Sequence, residues 1–136
     1  MYTVFFDGAC DPNPGRCAFG VSVQKDGVEI DRLAQFIGTG TNNIAEYHGL
    51  IGAIQLCHSN NLKDATVFGD SLLVINQVNM VWKVNSDKLQ VLHTIVLELL
   101  KKCGCNVKLQ HIKRKFNERA DQLATDILKT HHVDTT

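Results

Sequence analysis

An apolar run from Tyr2 to Phe6 reads as a buried strand that delivers Asp7 at its C-terminal end, with the turn-rich DPNPG following. Phe19, Val21 and Val23 alternate, Lys25-Asp26-Gly27 turns the chain, and Val28 to Phe36 returns, which predicts an antiparallel hairpin. The first three strands therefore form a meander. Asn42 or Asn43 then starts a helix through about Cys57, with Ile44, Tyr47, Ile51 and Ile54 on one face and Gly49 and Gly52 permitting close approach of a neighbour. Ala65 to Phe68 is a short strand ending at Asp70. The run Leu72 to Trp82 fits helix or strand, since LLVI is continuous, and Asp70-Ser71 as caps favour a short helix. Ser86 caps a further helix with Leu89, Leu92, Val96, Leu99 and Cys103 at helical spacing and Gly104 as its stop. Val107 to Ile112 is a final strand. Asn117 caps a last helix that turns Ala120, Ala124, Ile127 and Leu128 inward, and the HHVDTT tail is expected to fray. No repeat, low-complexity tract or linker divides the chain, so residues 1–136 are read as a single domain.

This order, β-β-β-α-β-α-α-β-α, predicts an α/β fold: a five-stranded mixed sheet, three strands antiparallel and two parallel, flanked by helices. The first and fourth strands lie parallel and adjacent, so Asp7 and Asp70 leave the sheet at one C-terminal edge, where open α/β sheets place their ligands. Glu46 and Asp121 enter from the first turns of two helices. Each acid alone has a plain structural explanation. Asp7-Gly8 suits a turn, Asp70 a helix cap, Glu46 a capping box with Asn43, and Asp121 a first-turn acid facing the helix dipole. Together they do not, because four uncompensated carboxylates at one edge repel unless hard cations hold them. Carboxylate oxygens select magnesium or manganese over zinc, and a two-ion site about 4 Å across is a recurring device for in-line attack on phosphodiesters. Phosphoryl chemistry is the best reading of the residues alone.

Composition narrows the setting. A chain of 136 residues buries roughly 70% of the surface its unfolded form exposes, enough for a core without staples. Five cysteines give an odd count with no repeated pair, and no signal peptide or membrane-length stretch occurs, so a reducing, cytoplasmic location without membrane contact is expected. Cys10, beside Asp7, reads as a packed thiol. Cys103-Gly104-Cys105 lacks a second pair at zinc spacing, and no Gly-rich loop leads to the lysine and hydroxyl of a phosphate-binding NTPase motif. A formal charge of zero excludes a strongly basic nucleic-acid coat. Its distribution is uneven, because Lys101, Lys102, Lys108, Lys113, Arg114, Lys115 and Arg119 face only Glu118 within residues 101–119. That stripe reads equally as a solvated face or as a phosphate-facing one.

The DGAC-x-x-NPG opening, TNNIAEY, FGDS and NERADQLA, in this order and strand-helix context, resemble type 1 ribonuclease H over essentially the whole length. The resemblance implies the ribonuclease H-like fold and endonucleolytic cleavage of the RNA strand in RNA/DNA hybrids, leaving 5′-phosphate and 3′-hydroxyl ends. It implies two Mg2+ ions, with Mn2+ as the alternative. Asp7 would bridge both, Asp121 would complete the site activating the attacking water, and Glu46 and Asp70 would hold the ion that stabilises the leaving 3′-oxygen. Gly8 and Ala9 backbone groups, with Glu46 and Asn42, match positions that read the 2′-hydroxyls, while Asn13, Thr41 and Asn43 match positions that grip the DNA strand or its phosphates. The expected form is short and monomeric, without the basic insertion after the second helix and without a hybrid-binding module ahead of Met1. Affinity is then expected from the core, with Trp82, Lys83 and the stripe near Lys113. The loop before the last helix is also short, and Arg114 is expected to serve where longer-loop members use a histidine. His111 instead falls within a strand. A resolvase-like DNA nuclease and a non-catalytic nucleic-acid-binding or protein-tethering module are the competing classes, the latter typically lacking one or more of the four acids.

Overall fold

The chain's computed structural model describes residues 1–131; the HHVDTT tail beyond His131 lies outside the described residues. The alternating segments near the N-terminus become three long strands, β1 (Tyr2–Asp11), β2 (Gly15–Lys25) and β3 (Val28–Gly40). Two shorter strands, β4 (Asp64–Gly69) and β5 (Asn106–His111), complete a five-stranded sheet in the order β3-β2-β1-β4-β5. The β1–β2 and β2–β3 pairs are antiparallel, and the β1–β4 and β4–β5 pairs are parallel, as the element order predicts.

Asp7 does not end its strand. The β1–β4 ladder stops at Phe6 opposite Gly69, whereas β1 continues against β2 from Asp7 opposite Gly20 to Asp11 opposite Arg16. Pairing with β2 overrides the weak strand propensity of Gly8 and Ala9. Residues 7–11 therefore keep a neighbour on one side only, and Asp7 sits where the sheet opens.

Four helices cover the sheet: α1 (Asn42–Ser59), α2 (Leu72–Val78), α3 (Asp87–Lys102) and α4 (Glu118–Thr130). A 3-10 turn at Arg114–Phe116 leads into α4. Two glycines set the layering. A Cβ on Gly8 would lie 2.3 Å from the backbone of Ala45 and Glu46, so α1 rests directly on β1. A Cβ on Gly20 would lie 2.5 Å from the Ala120 carbonyl oxygen, so α4 rests equally closely on β2. Gly8 pairs with Phe19, whose ring also meets α1 at Gly52, and the next residue along β2 is Gly20. Because successive strand residues face opposite sides, α1 and α4 cover opposite faces. Phe6, Tyr47, Leu50, Ile54, Val74 and Val96 fill the core between the sheet, α1, α2 and α3.

Several local expectations are corrected. Helix α1 starts at Asn42 as expected, but its cap is Thr41 rather than Asn43, the Thr41 hydroxyl accepting from the Ile44 N–H at 3.3 Å. Helix α2 forms as favoured but ends at Val78, and Trp82 lies beyond it, after Met80 at φ 64°. Helix α3 ends on Cys103 in extended backbone, not on a left-handed Gly104, because the chain leaves the helix to bury Cys103. Leu123 joins Ala120, Ala124 and Leu128 on the buried face of α4.

Cys10 is not a packed thiol. It stands directly opposite Cys17 in the β1–β2 register and is joined to it by a disulfide, while Cys57, Cys103 and Cys105 are free and buried. Strand register, invisible in the cysteine spacing, creates the pair, so an odd cysteine count says nothing about redox compartment here. Among the described residues, no helix is long and apolar enough to cross a membrane.

Candidate active site

Asp7 is 6% exposed, and its Oδ1 accepts from the Gly8 N–H at 3.0 Å. Glu46 lies one residue past the first turn of α1 and forms no capping box. The tight α1–β1 approach at Gly8 carries its carboxylate across to β1, where Oε1 also accepts from the Gly8 N–H. Asp70 follows β4 directly and leaves capping to Ser71, whose hydroxyl accepts from the Val74 N–H at 3.3 Å. Oxygens of Asp7, Glu46 and Asp70 lie within 4.8 Å of one another. Asp121, in the first turn of α4, lines the same cleft but stands outside that tight triplet.

Asn117 stands at the N-cap of α4 as expected, but its side chain makes no cap bond. Its side-chain amide donates to the Phe6 carbonyl at 2.8 Å and to Asp70 Oδ2 at 3.0 Å. The helix it precedes is anchored by a residue of the basic stripe: Arg119 Nε and Nη2 donate to Glu29 at 2.8 and 3.1 Å, tying α4 to the β2–β3 hairpin. The stripe is therefore not one phosphate-facing surface. Of its cations, Arg114 alone lines the cleft.

The electrostatics follow from burial and crowding. Burial, then the charge of Glu46, raises the Asp7 carboxyl far above the usual carboxylate range, with Asp70 and Asp121 adding to the effect. Burial raises Glu46 as well; a hydrogen bond with Asp7 counters it, Asp70 reinforces it, and the Gly8 N–H and the Arg114 cation oppose it. Among the described residues no salt bridge reaches any of the four acids. An acidic triplet in which burial and crowding raise Asp7 and Glu46, and which offers only oxygen donors, suits hard divalent cations.

The cleft measures about 360 Å³, and Gly8, Ala9, Asn42 and Asn43 line it beside the acids. Asn13 lies back from it, its Oδ1 accepting from the Asn42 N–H at 3.1 Å, while Asn42 Oδ1 accepts from the Cys10 N–H at 3.1 Å. This network locks the β1–β2 turn to the start of α1. Thr41 and Asn43 border an adjacent groove with Pro14, Ser86 and Lys88. Trp82, 45% exposed, is not among the cleft residues. Sequence reasoning missed Asn117 and Ser71, which lie inside the NERADQLA and FGDS motifs and were assigned only cap duty.

A family model described as reverse transcriptase-like matches residues 5–127. Ribonuclease HI of Halobacterium salinarum is 38% identical over 125 residues, covering 91% of this chain and 62% of that protein. The crystal structure of RNase H1 from the same organism aligns with a TM-score of 0.89 at 35% identity, over 95% of this chain and 98% of that one. The chain belongs to the ribonuclease H family. Another ribonuclease H, LC11-RNase H1, solved in complex with an RNA/DNA hybrid, aligns with a TM-score of 0.92 at 27% identity, over 98% of this chain and 100% of that one. The ribonuclease H sheet and helices are thus matched nearly end to end, although the chain spans less than two thirds of the Halobacterium ribonuclease HI sequence.

Proposed function

We propose that this chain hydrolyses the RNA strand of RNA/DNA hybrids, leaving 5′-phosphate and 3′-hydroxyl ends, with two divalent ions held by Asp7, Glu46, Asp70 and Asp121. The observation that carries the reading is the triplet of carboxylates within 4.8 Å of one another, with no cation paired to them among the described residues. Its all-oxygen donor set fits Mg2+, with Mn2+ as the alternative. When bound, such ions supply Lewis-acid stabilisation of charge on a phosphodiester and make water a competent nucleophile at neutral pH.

The chain's own residues supply binding and selection. The buried Asp7 and Glu46 and the half-buried Asp70 form the floor of the cation site, and Asp121 extends it from α4. Arg114, at the cleft wall, attracts the scissile phosphate and, being permanently charged, takes no part as a base. The main chain at Gly8 and Ala9, with Asn42 and Glu46, faces the minor groove and selects 2′-hydroxyls. Asn43, shared by the cleft and the groove alongside Thr41, guides the DNA strand, and Asn13 holds that corner in shape. The hybrid bound to LC11-RNase H1 supports the choice of substrate.

The test is incubation with labelled RNA/DNA hybrid, duplex RNA and duplex DNA, with EDTA, Mg2+ or Mn2+. Cleavage of the hybrid's RNA strand only when metal is present is expected. Preferential cleavage of duplex DNA would indicate a resolvase-like nuclease, and hybrid binding without cleavage in either metal would indicate a binding module.

A further inference from the structure

Asn117 is 1% exposed and joins more of the site than any acid does. Its amide nitrogen bridges the Phe6 carbonyl, one residue before Asp7, and Asp70 Oδ2. Its backbone carbonyl accepts from the Asp121 N–H at 3.1 Å, and its own N–H donates to the Arg114 carbonyl at 2.9 Å. The amide orientation is fixed by chemistry: turned over, it would set an oxygen against two acceptors. In the observed orientation Oδ1 is buried without a partner. Capping does not explain this residue, because its side chain makes no cap bond and serine or aspartate would start α4 equally well. A buried amide that leaves its own acceptor unsatisfied in order to donate twice is arranged for what it donates to.

We propose that Asn117 is a positioning residue for Asp70, fixing Oδ2 so that the other carboxylate oxygen is turned toward the divalent ion. The inference rests on the metal-dependent reading above and adds a residue outside the acidic set. Partners of this kind set the orientation of a ligand, and losing one weakens ion binding about 10–100-fold. The residue touches neither ion nor substrate. Its effect is on ion affinity first and turnover second.

The experiment is calorimetric titration of the full chain with Mn2+ and with Mg2+, without nucleic acid, below the melting temperature. Asn117→Asp keeps the volume but replaces the donor by an acceptor, Asn117→Ala removes both, and Asn117→Ser guards against failure of either to fold. The half-saturating ion concentration is expected to rise about 10–100-fold in each folded variant. Turnover on the hybrid should recover at high ion concentration, with KM for the hybrid unchanged. Val96→Ala, a buried change in α3, should lower the melting temperature and leave ion binding unaltered. In an Asp70→Asn background, Asn117→Ala should weaken binding no further. Wild-type ion affinity in folded Asn117→Ala or Asn117→Ser, or an equal additional loss in the Asp70→Asn background, would overturn the assignment. If Asp70→Asn alone leaves ion binding unchanged, the metal reading itself falls; if it weakens binding while the Asn117 variants do not, only the positioning role falls.

Discussion

Replacing Asp7 by asparagine should make the metal-free protein more stable. Asp7 is buried against Glu46 and Asp70, and its folded carboxyl keeps its proton well above the unfolded value of about 4. The folded state then binds more protons than the unfolded chain. Stability is full below pH 4 and falls as pH rises toward the elevated folded pKa, by about 1.4 kcal/mol per pH unit for one such group. Between pH 5 and pH 7 the loss is about 3 kcal/mol. Asparagine preserves the volume, its oxygen can still accept from Gly8, and its NH2 can donate to Glu46, so the variant escapes most of this loss. In a chain of 136 residues a gain of about 2–3 kcal/mol corresponds to a melting temperature higher by about 5–10 °C in EDTA at pH 7. Thermal melts of both proteins in EDTA at pH 5, 6, 7 and 8 provide the test, repeated with Mg2+, which should stabilise the wild type and not the variant. A variant that melts below the wild type at pH 7, or a gap that fails to widen from pH 5 to pH 7, would refute the argument. Donors such as the Gly8 N–H would then outweigh the repulsion.

Three further outcomes are expected. Asp70→Asn should lower metal-dependent hybrid cleavage by more than about 100-fold with an unchanged circular dichroism spectrum, since a direct ligand matters more than the partner that orients it. In steady-state kinetics, Arg114→Ala should reduce turnover by about 10–100-fold, the worth of one charge-assisted hydrogen bond. His111→Ala, an exposed change at the end of β5, should alter turnover less than that, and a larger loss there would reverse the roles. Gly20→Ala should destabilise by about 1–3 kcal/mol, because its Cβ meets the Ala120 carbonyl oxygen at 2.5 Å, and should also reduce activity by displacing the helix that carries Asp121. An unshifted melting curve would mean that α4 moves without resistance.

The sheet was legible because apolar alternation and turn residues mark strands locally, and because the element order leaves little choice of strand neighbours. The acids were legible for the same reason: Asp7 and Asp70 lie where adjacent parallel strands lose their partnership. What failed was the choice between a local and a distant hydrogen-bond partner. Asn43 with Glu46, and Asn117 before α4, are good caps by composition, yet Glu46 reaches Gly8 and Asn117 reaches Asp70 because tight packing brings those groups nearer than the helix ends. Cys10 and Cys17 escaped notice since their meeting depends on a register that only the assembled hairpin defines. The basic stripe stayed open between two readings because neighbours in sequence need not be neighbours in space: Arg119 turns away to Glu29 and Arg114 lines the cleft.

The overhang of β1 past β4 has a consequence for how this protein can change over generations. Groups that the main chain offers to a ligand are inherited with the path of the backbone, whichever side chains decorate it. Position 9 can therefore drift, with replacements of Ala9 reshaping the cleft wall while its peptide groups stay in place. Position 8 cannot, because any side chain there drives into α1 at Ala45 and pushes away the helix that holds Glu46. Two consecutive residues on one open strand edge thus sit at opposite extremes of mutational freedom, one a place where substrate preference can be tuned and the other a lock on the fold.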